Sequence, residues 1–142
     1  MPKVDHILSK IRLHLDNGSP IVVAGVGSGL TAKGAAAGGA DILAVYGTAV
    51  YRILGLPTAL AFLPYDDANA LTLTAAPQVI AAAPGTPILL GFGAHDPRTP
   101  LSKLLDQAEQ LGAAGVTNEP FIGMYSADLQ TQLEAAGLGF SR

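Results

Sequence analysis

The chain has 142 residues, of which 49% are apolar and only 13% are charged, and its formal net charge is −3 at pH 7. Lysine and arginine are few and scattered, which argues against a nucleic-acid-binding surface. The sequence contains no cysteine, which excludes disulfides, thiolate metal sites and cysteine nucleophiles. No apolar stretch reaches the ~18 residues of a membrane span, and the amino terminus is charged where a signal peptide has its apolar core. We therefore expect a cytoplasmic protein with neither a membrane nor a nucleic acid as partner.

The first predicted element is a helix over about residues 4–16. Apolar side chains recur there at helical spacing, at Val4, Ile7, Leu8, Ile11 and Leu15. An Asn-Gly-Ser-Pro turn at residues 17–20 ends this helix and leads into the first strand.

Four short apolar runs predict four strands, namely Ile21–Val26, Ile42–Tyr46, Ile88–Phe92 and Ala114–Thr117. Each run is too short for a helix and is apolar at nearly every position. Unbroken apolarity is typical of parallel strands that are covered on both faces.

Helices are predicted between and after these strands. The segments are Thr31–Ala37, a short piece over Tyr51–Leu56, about Ala68–Ala83, one starting at Pro100 with Thr99 as its cap, and one from Ser126 to Gly137. Asp66 or Asp67 is expected to cap the third of them, and Pro77 is expected to kink it or to mark its true start.

Four strand–helix units are half of the eight that form a TIM barrel. The predicted fold class is therefore α/β, one domain over residues 1–142 with a parallel sheet of about four βα units, half of a (βα)₈ barrel. Four strands cannot close into a barrel, and each apolar side chain left exposed on the inner face forgoes about 1.5–3 kcal/mol. We expect a homo-oligomer or pairing with a complementary half-barrel. The alternative is a sheet that flattens into a three-layer domain.

A glycine-rich turn follows the first strand at Gly27, Ser28 and Gly29, with Lys33 one turn into the next helix. Backbone N–H groups of such a turn can approach an anion at the positive end of a helix. The residues also match the G-x-G-x-x-A form of a dinucleotide-binding turn, but the acid that should follow the second strand is missing, and Asp41 lies at the opposite edge. The turn therefore predicts an anion site, a tight turn without a ligand, or a dinucleotide site.

Acidic and imidazole side chains follow the later strands. Asp66 and Asp67 precede a helix, His95 and Asp96 follow the third strand, and Glu119 follows the fourth. Because parallel strands end at one edge, these groups are expected to converge there. Asp67, Asp96 and His95 are the candidate catalytic residues.

A metal site is predicted from the same group of side chains. Asp67, Asp96 and Glu119 are candidate ligands, and an all-oxygen ligand set favours Mg²⁺ over zinc. Capping of a helix is the alternative role for the aspartates at 66 and 67.

The chain resembles the phosphoenolpyruvate hydrolase-like family, also described as a TIM-barrel signal-transduction domain. The matching blocks, in the same order as in the family, are Pro20–Lys33, Gly38–Tyr46, Leu63–Ala70, Thr86–Gly93 with Asp96 and Pro97, and Ala114–Asn118 with Pro120 and Gly123. The Leu-Pro-Tyr-x-Asp-Ala-Asn block is the most specific of them.

This resemblance implies a barrel that acts on, or senses, a small anionic metabolite of the phosphoenolpyruvate or phosphonopyruvate kind, with Mg²⁺ as a candidate cofactor. It carries an anion-binding role to Asn69 and Asn118, in addition to the glycine-rich turn and Lys33. A hydrolase or lyase-like activity is the leading expectation. A non-catalytic ligand-sensing or assembly module is the alternative, and a Rossmann-like nucleotide binder is third.

Overall fold

The computed structural model describes residues 4–142, and residues 1–3 of the charged amino terminus lie outside this range. Its centre is a four-stranded sheet with the order β1-β2-β3-β4, and every neighbouring pair is parallel. The strands are β1 (Val23–Val26), β2 (Ile42–Val45), β3 (Ile88–Phe92) and β4 (Gly115–Asn118). All four predicted strands are confirmed, although β1 begins two residues later than its apolar run.

Six α-helices and two short 3₁₀ helices connect and flank these strands within residues 4–142. The α-helices are α1 (Val4–Asp16), α2 (Gly29–Ala37), α3 (Gly47–Ile53), α4 (Ala68–Ala82), α5 (Leu101–Leu111) and α6 (Ala127–Ala135), and the 3₁₀ helices cover Thr58–Phe62 and Ile122–Met124. No helix among the described residues has the length and apolarity to span a bilayer.

The predicted starts of α5 and α3 are wrong, whereas the start of α4 at Ala68, with Asp67 as its cap, is confirmed. α5 begins at Leu101, because Pro100 has an extended backbone (φ −57°, ψ 138°) and lies outside the helix as its cap, in the place predicted for Thr99. α4 runs continuously through Pro77, so this residue does not mark the start of the helix; Asp67 caps it instead. α3 also starts earlier than predicted, at Gly47, directly after β2.

The hydrophobic core lies on one face of the sheet. Val26, Leu43, Val45, Leu90 and Phe92 alternate onto this face, where they contact buried residues of α2, α4 and α5. Many of the helix residues in the core are alanines, which let the helices approach the strands closely. This arrangement fits half of a TIM barrel and not the three-layer alternative, because the core helices share one face.

The opposite, inner face of the sheet is partly open. The prediction that both faces are covered holds for β2 and β3, whose residues are almost all buried, but it is wrong for the edge strands. Val23 of β1 lies on this inner face and is 53% exposed, whereas Val116 of β4 lies on the core face, in register with Leu90, and is 42% exposed. Edge strands lack a neighbour on one side, so fewer groups are available to cover them.

Candidate functional site

The loops that follow β2, β3 and β4 surround a cleft at the carboxyl-terminal edge of the sheet, hereafter the rim cleft. Its volume is about 460 Å³, and its polar lining residues are Asp66, Asn69, His95, Asp96, Arg98 and Tyr125. The side chains that follow β3 and those at the start of α4 therefore lie together at this edge, as predicted. Parallel strands place successive loops beside one another in this way.

Arg98 links two of the predicted catalytic carboxylates. Its Nη2 lies 2.6 Å from Asp96 Oδ2 and 3.4 Å from Asp67 Oδ2. Its Nε donates to both oxygens of Asp96, at 2.9 and 3.0 Å. The hydrogen bonds from the Arg98 side chain lower the pKa of Asp96 below its ordinary value, so this carboxyl is ionised at neutral pH.

The sequence did not point to Arg98 as a functional residue. The signal was present, because Arg98 follows Asp96 by two residues in a Pro-containing turn, where the side chain of an Asp can accept the backbone N–H two residues on. Asp96 Oδ1 accepts that bond from Arg98 N at 2.9 Å.

His95 lies half-buried in the rim cleft. Its Nδ1 is buried and has no hydrogen-bond partner among the described residues. Burial lowers the pKa of His95 below 6.5, with Asp96 acting in the opposite direction as the smaller influence. The imidazole is therefore neutral at pH 7 and able to accept a proton.

Two asparagines hold the loop after β3. The buried side chain of Asn69 accepts a hydrogen bond from Gly93 N at 2.7 Å and donates to Gly93 O at 3.4 Å. Asn118 Oδ1 accepts from Ala94 N at 3.2 Å. Both amides thus position the backbone that carries His95, and the anion-binding role predicted for them remains a prediction.

The glycine-rich turn lies away from the rim cleft. Ser28 caps α2, because its Oγ accepts from Thr31 N while Thr31 Oγ1 accepts from Ser28 N. Gly27 has no room for a side chain: a Cβ there would lie 2.5 Å from the carbonyl oxygen of Ala49 in α3. Lys33 is exposed on α2. Ser28 thus has a capping role and Gly27 a packing role, and an anion site at this turn remains a prediction.

The predicted Mg²⁺ ligands are not brought together. A guanidinium occupies the space between Asp67 and Asp96, while Glu119 Oε1 accepts a hydrogen bond from Thr48 Oγ1 at 2.9 Å. Among the side chains that the structure describes, no three His, Asp or Glu residues are grouped to hold a metal. In this arrangement the three carboxylates do not fit a divalent cation, because a cation ligand set needs several oxygens directed at one point.

A second polar group lies on the inner face, and of its members the sequence pointed only to Glu119, as a candidate metal ligand. Tyr46, Thr48 and Arg52 follow β2, and Glu119 follows β4. The contact between Thr48 and Glu119 joins positions about seventy residues apart, so no local sequence motif could predict it.

Residues 6–142 match the family described as phosphoenolpyruvate hydrolase-like. The chain belongs to this family. Its similarity to the ToMV resistance protein Tm-1(GCR237) of Solanum lycopersicum is 34% identity over 134 residues, which is 94% of this chain and 18% of that protein. A proposed transcriptional regulatory protein of Sinorhizobium fredii, y4pA, is 29% identical over 122 residues, 86% of this chain and 20% of that protein. The chain thus spans about a fifth of the length of these relatives.

Solved structures confirm the barrel-type fold of this family member. The 2,3-dimethylmalate lyase, a member of the PEP mutase/isocitrate lyase superfamily, superposes with a TM-score of 0.55 at 22% identity, over 82% of this chain and 40% of the lyase chain. Oxaloacetate acetylhydrolase in complex with oxalate gives a TM-score of 0.51 at 20% identity, over 77% of this chain and 38% of that enzyme. Coverage of about two-fifths fits half of a barrel.

Proposed function

We propose that the rim cleft binds a small anionic phospho-carboxylate of the cytoplasm and that the chain acts on it with hydrolase or lyase-like chemistry. The observation that carries this proposal is the position of His95, Asp96 and Arg98 in one cleft at the carboxyl-terminal edge of a half-barrel of the phosphoenolpyruvate hydrolase-like family. In barrel enzymes this edge holds the reacting groups.

Arg98 is the residue proposed to contact the anion. Its side chain is 62% exposed, and the contacts to Asp96 use only its Nε and Nη2 groups. Its Nη1 has no partner among residues 4–142 and remains open to a carboxylate or phosphoryl oxygen. Arginine suits this role because its planar fork can bind one anion while another group holds its opposite edge.

His95 is the residue proposed to move a proton. A neutral imidazole beside the bound anion accepts a proton from water or from the ligand, and Asp96 then stabilises the imidazolium that forms. Asp67 has a positioning role in this account, because it caps α4 and contacts Arg98.

No step of the proposed chemistry uses Mg²⁺. The guanidinium of Arg98 already supplies positive charge between Asp67 and Asp96, so ligand binding is expected to be the same with Mg²⁺ and with a chelator.

Titration calorimetry with phosphoenolpyruvate and phosphonopyruvate tests the proposal, with NAD as the probe of the nucleotide-binding alternative. We expect binding of one of the two anions, and a loss of about tenfold or more in affinity for Arg98→Gln. Arg12→Gln is the matched control, because Arg12 is exposed on α1 outside the cleft. Binding of NAD alone, or equal binding by both variants, would contradict the proposal.

A sensing module is the second candidate function, and the similarity to the regulatory protein y4pA favours it. Turnover separates the two candidates. Release of pyruvate or phosphate that His95→Gln abolishes supports the enzyme, whereas tight binding without any product supports the sensor.

A further inference from the structure

The inner face of the sheet carries a cleft of its own, separate from the rim cleft and hereafter the inner cleft. Its volume is about 370 Å³, and its polar lining includes Tyr46, Thr48, Arg52, Thr117, Asn118 and Glu119. Of these residues only Asn118 also contributes to the rim cleft, because it accepts a hydrogen bond from the backbone of Ala94.

Two glycines inside strands allow the side chain of Tyr46 to lie close against this face of the sheet. A Cβ at Gly25 of β1 would collide with the Tyr46 hydroxyl and lie 3.3 Å from Arg52 Nη2. A Cβ at Gly91 of β3 would collide with Tyr46 Cβ and lie 3.2 Å from Glu119 Cβ. Glycine weakens a strand interior, and its presence there often marks a close approach of another group or of a ligand.

Tyr46 and Arg52 form one side of the inner cleft. Arg52 Nη2 donates to the Tyr46 hydroxyl at 3.3 Å, and the guanidinium carbon lies 5.8 Å from the centre of the Tyr46 ring. The neutral ring and hydroxyl position the cation without neutralising it. Arg52 forms no ion pair with any carboxylate of residues 4–142.

Glu119 supplies the opposite charge. Its Oε1 accepts a hydrogen bond from Thr48, whose side chain is only 4% exposed, so a buried donor fixes the carboxylate at the end of β4. Glu119 likewise forms no ion pair within the described part of the chain. The inner cleft therefore presents one cation and one anion that are not paired with each other.

We infer that the inner cleft binds a small zwitterion of the amino-acid type. Arg52 and the Tyr46 hydroxyl hold its carboxylate, and Glu119 holds its ammonium group. A simple anion would be repelled by Glu119 and a simple cation by Arg52, so a ligand that carries both charges gains from both groups.

Calorimetry or NMR titration of the wild-type chain tests this inference with three zwitterions of increasing charge separation: glycine, β-alanine and γ-aminobutyrate. Butyrate and butylamine carry one charge each and are the matched probes. We expect at least one zwitterion to bind about tenfold or more tightly than either single-charge probe. Equal or weaker binding of all three zwitterions would overturn the inference.

Variants assign the binding to the named residues. Arg52→Gln and Glu119→Gln are each expected to weaken zwitterion binding about tenfold or more, whereas Arg12→Gln should leave it unchanged. Zwitterion binding that survives Arg52→Gln would also overturn the inference, provided that circular dichroism shows a folded chain. Phosphoenolpyruvate titrated into the same Arg52→Gln variant reports on the rim cleft, so the failure of one site is distinguishable from the failure of the other.

Discussion

Burial in the rim cleft favours the neutral form of His95. Its ring is half-buried beside the end of β3, and the cost of desolvating a charged imidazole lowers its pKa below 6.5. The pKa of the neighbouring Asp96 is lowered as well, by hydrogen bonds from Arg98, and for a carboxyl this favours the charged form. A neutral base therefore adjoins an ionised acid at neutral pH.

This difference predicts a pH dependence of stability. Above about pH 6.5 His95 is neutral in both the folded and the unfolded chain and contributes nothing. As the pH falls through 6.5 the unfolded chain takes up the proton first, so the free energy of unfolding decreases until the pH passes the lower pKa of the folded state. Urea unfolding at about pH 7.5 and about pH 5.5 measures the effect.

The variant His95→Gln is expected to lose less stability than the wild type between these two pH values. The remaining histidines are common to both proteins and cancel in the comparison. An identical change in the free energy of unfolding for the two proteins would show that His95 is not desolvated as described.

At the scale of elements, the side chain of Asn69 connects α4 to the end of β3 by hydrogen bonds. This buried side chain makes two hydrogen bonds to the backbone of Gly93 and so fixes where the loop with His95 begins. Asn118 makes one bond to the same loop, from an exposed position.

Asn69→Ala is expected to lower the free energy of unfolding by about 1–3 kcal/mol, because it leaves the buried Gly93 N–H without a partner. Asn118→Ala is the matched control and should cost only about 0.5–1 kcal/mol, since water can replace an exposed bond. Chemical denaturation of both variants measures the difference. Equal losses of stability in the two variants would contradict the role assigned to the buried hydrogen bonds of Asn69.

The strands could be predicted because each is recorded locally in a short apolar run between turns. The run Ile21–Val26 overestimated β1, since apolar residues that lead into a strand look like the strand itself. Proline is common at the first helical position, which predicts Pro100 inside α5, but its extended ψ of 138° keeps it outside the helix.

The candidate site was only partly predictable, because only its local patterns can be recognised in the sequence. Convergence of the loops follows from parallel strands, and it brought Asp67, His95 and Asp96 close together. Contacts between distant segments left no pattern in the sequence. The bridge from Arg98 to Asp67 and the bond from Thr48 to Glu119 both depend on the folded geometry.

At the scale of the whole molecule, β1 and β4 are open edges of a sheet whose inner face is partly exposed. Both edges present unpaired backbone groups, and Val23 on β1 adds exposed apolar surface. We therefore keep the expectation that the half-barrel associates with a second copy or with a complementary half-barrel.

Sedimentation at micromolar concentration is expected to show a mass above that of the monomer for the wild type. Val23→Lys should shift the population toward the monomer, because a charge on the edge strand opposes pairing. Leu30→Lys is the matched control, since Leu30 is 82% exposed on α2 and belongs to no strand. A stable wild-type monomer would contradict self-association and leave the complementary half as the remaining partner.

The binding of a phospho-carboxylate in the rim cleft is tested most directly by mapping amide chemical shifts during a titration with phosphoenolpyruvate. The largest shifts are expected on Asn69 and on residues 93–98, a segment that lines the cleft. Shifts confined to the turn at residues 27–29, or the absence of any shift at saturating ligand, would contradict it.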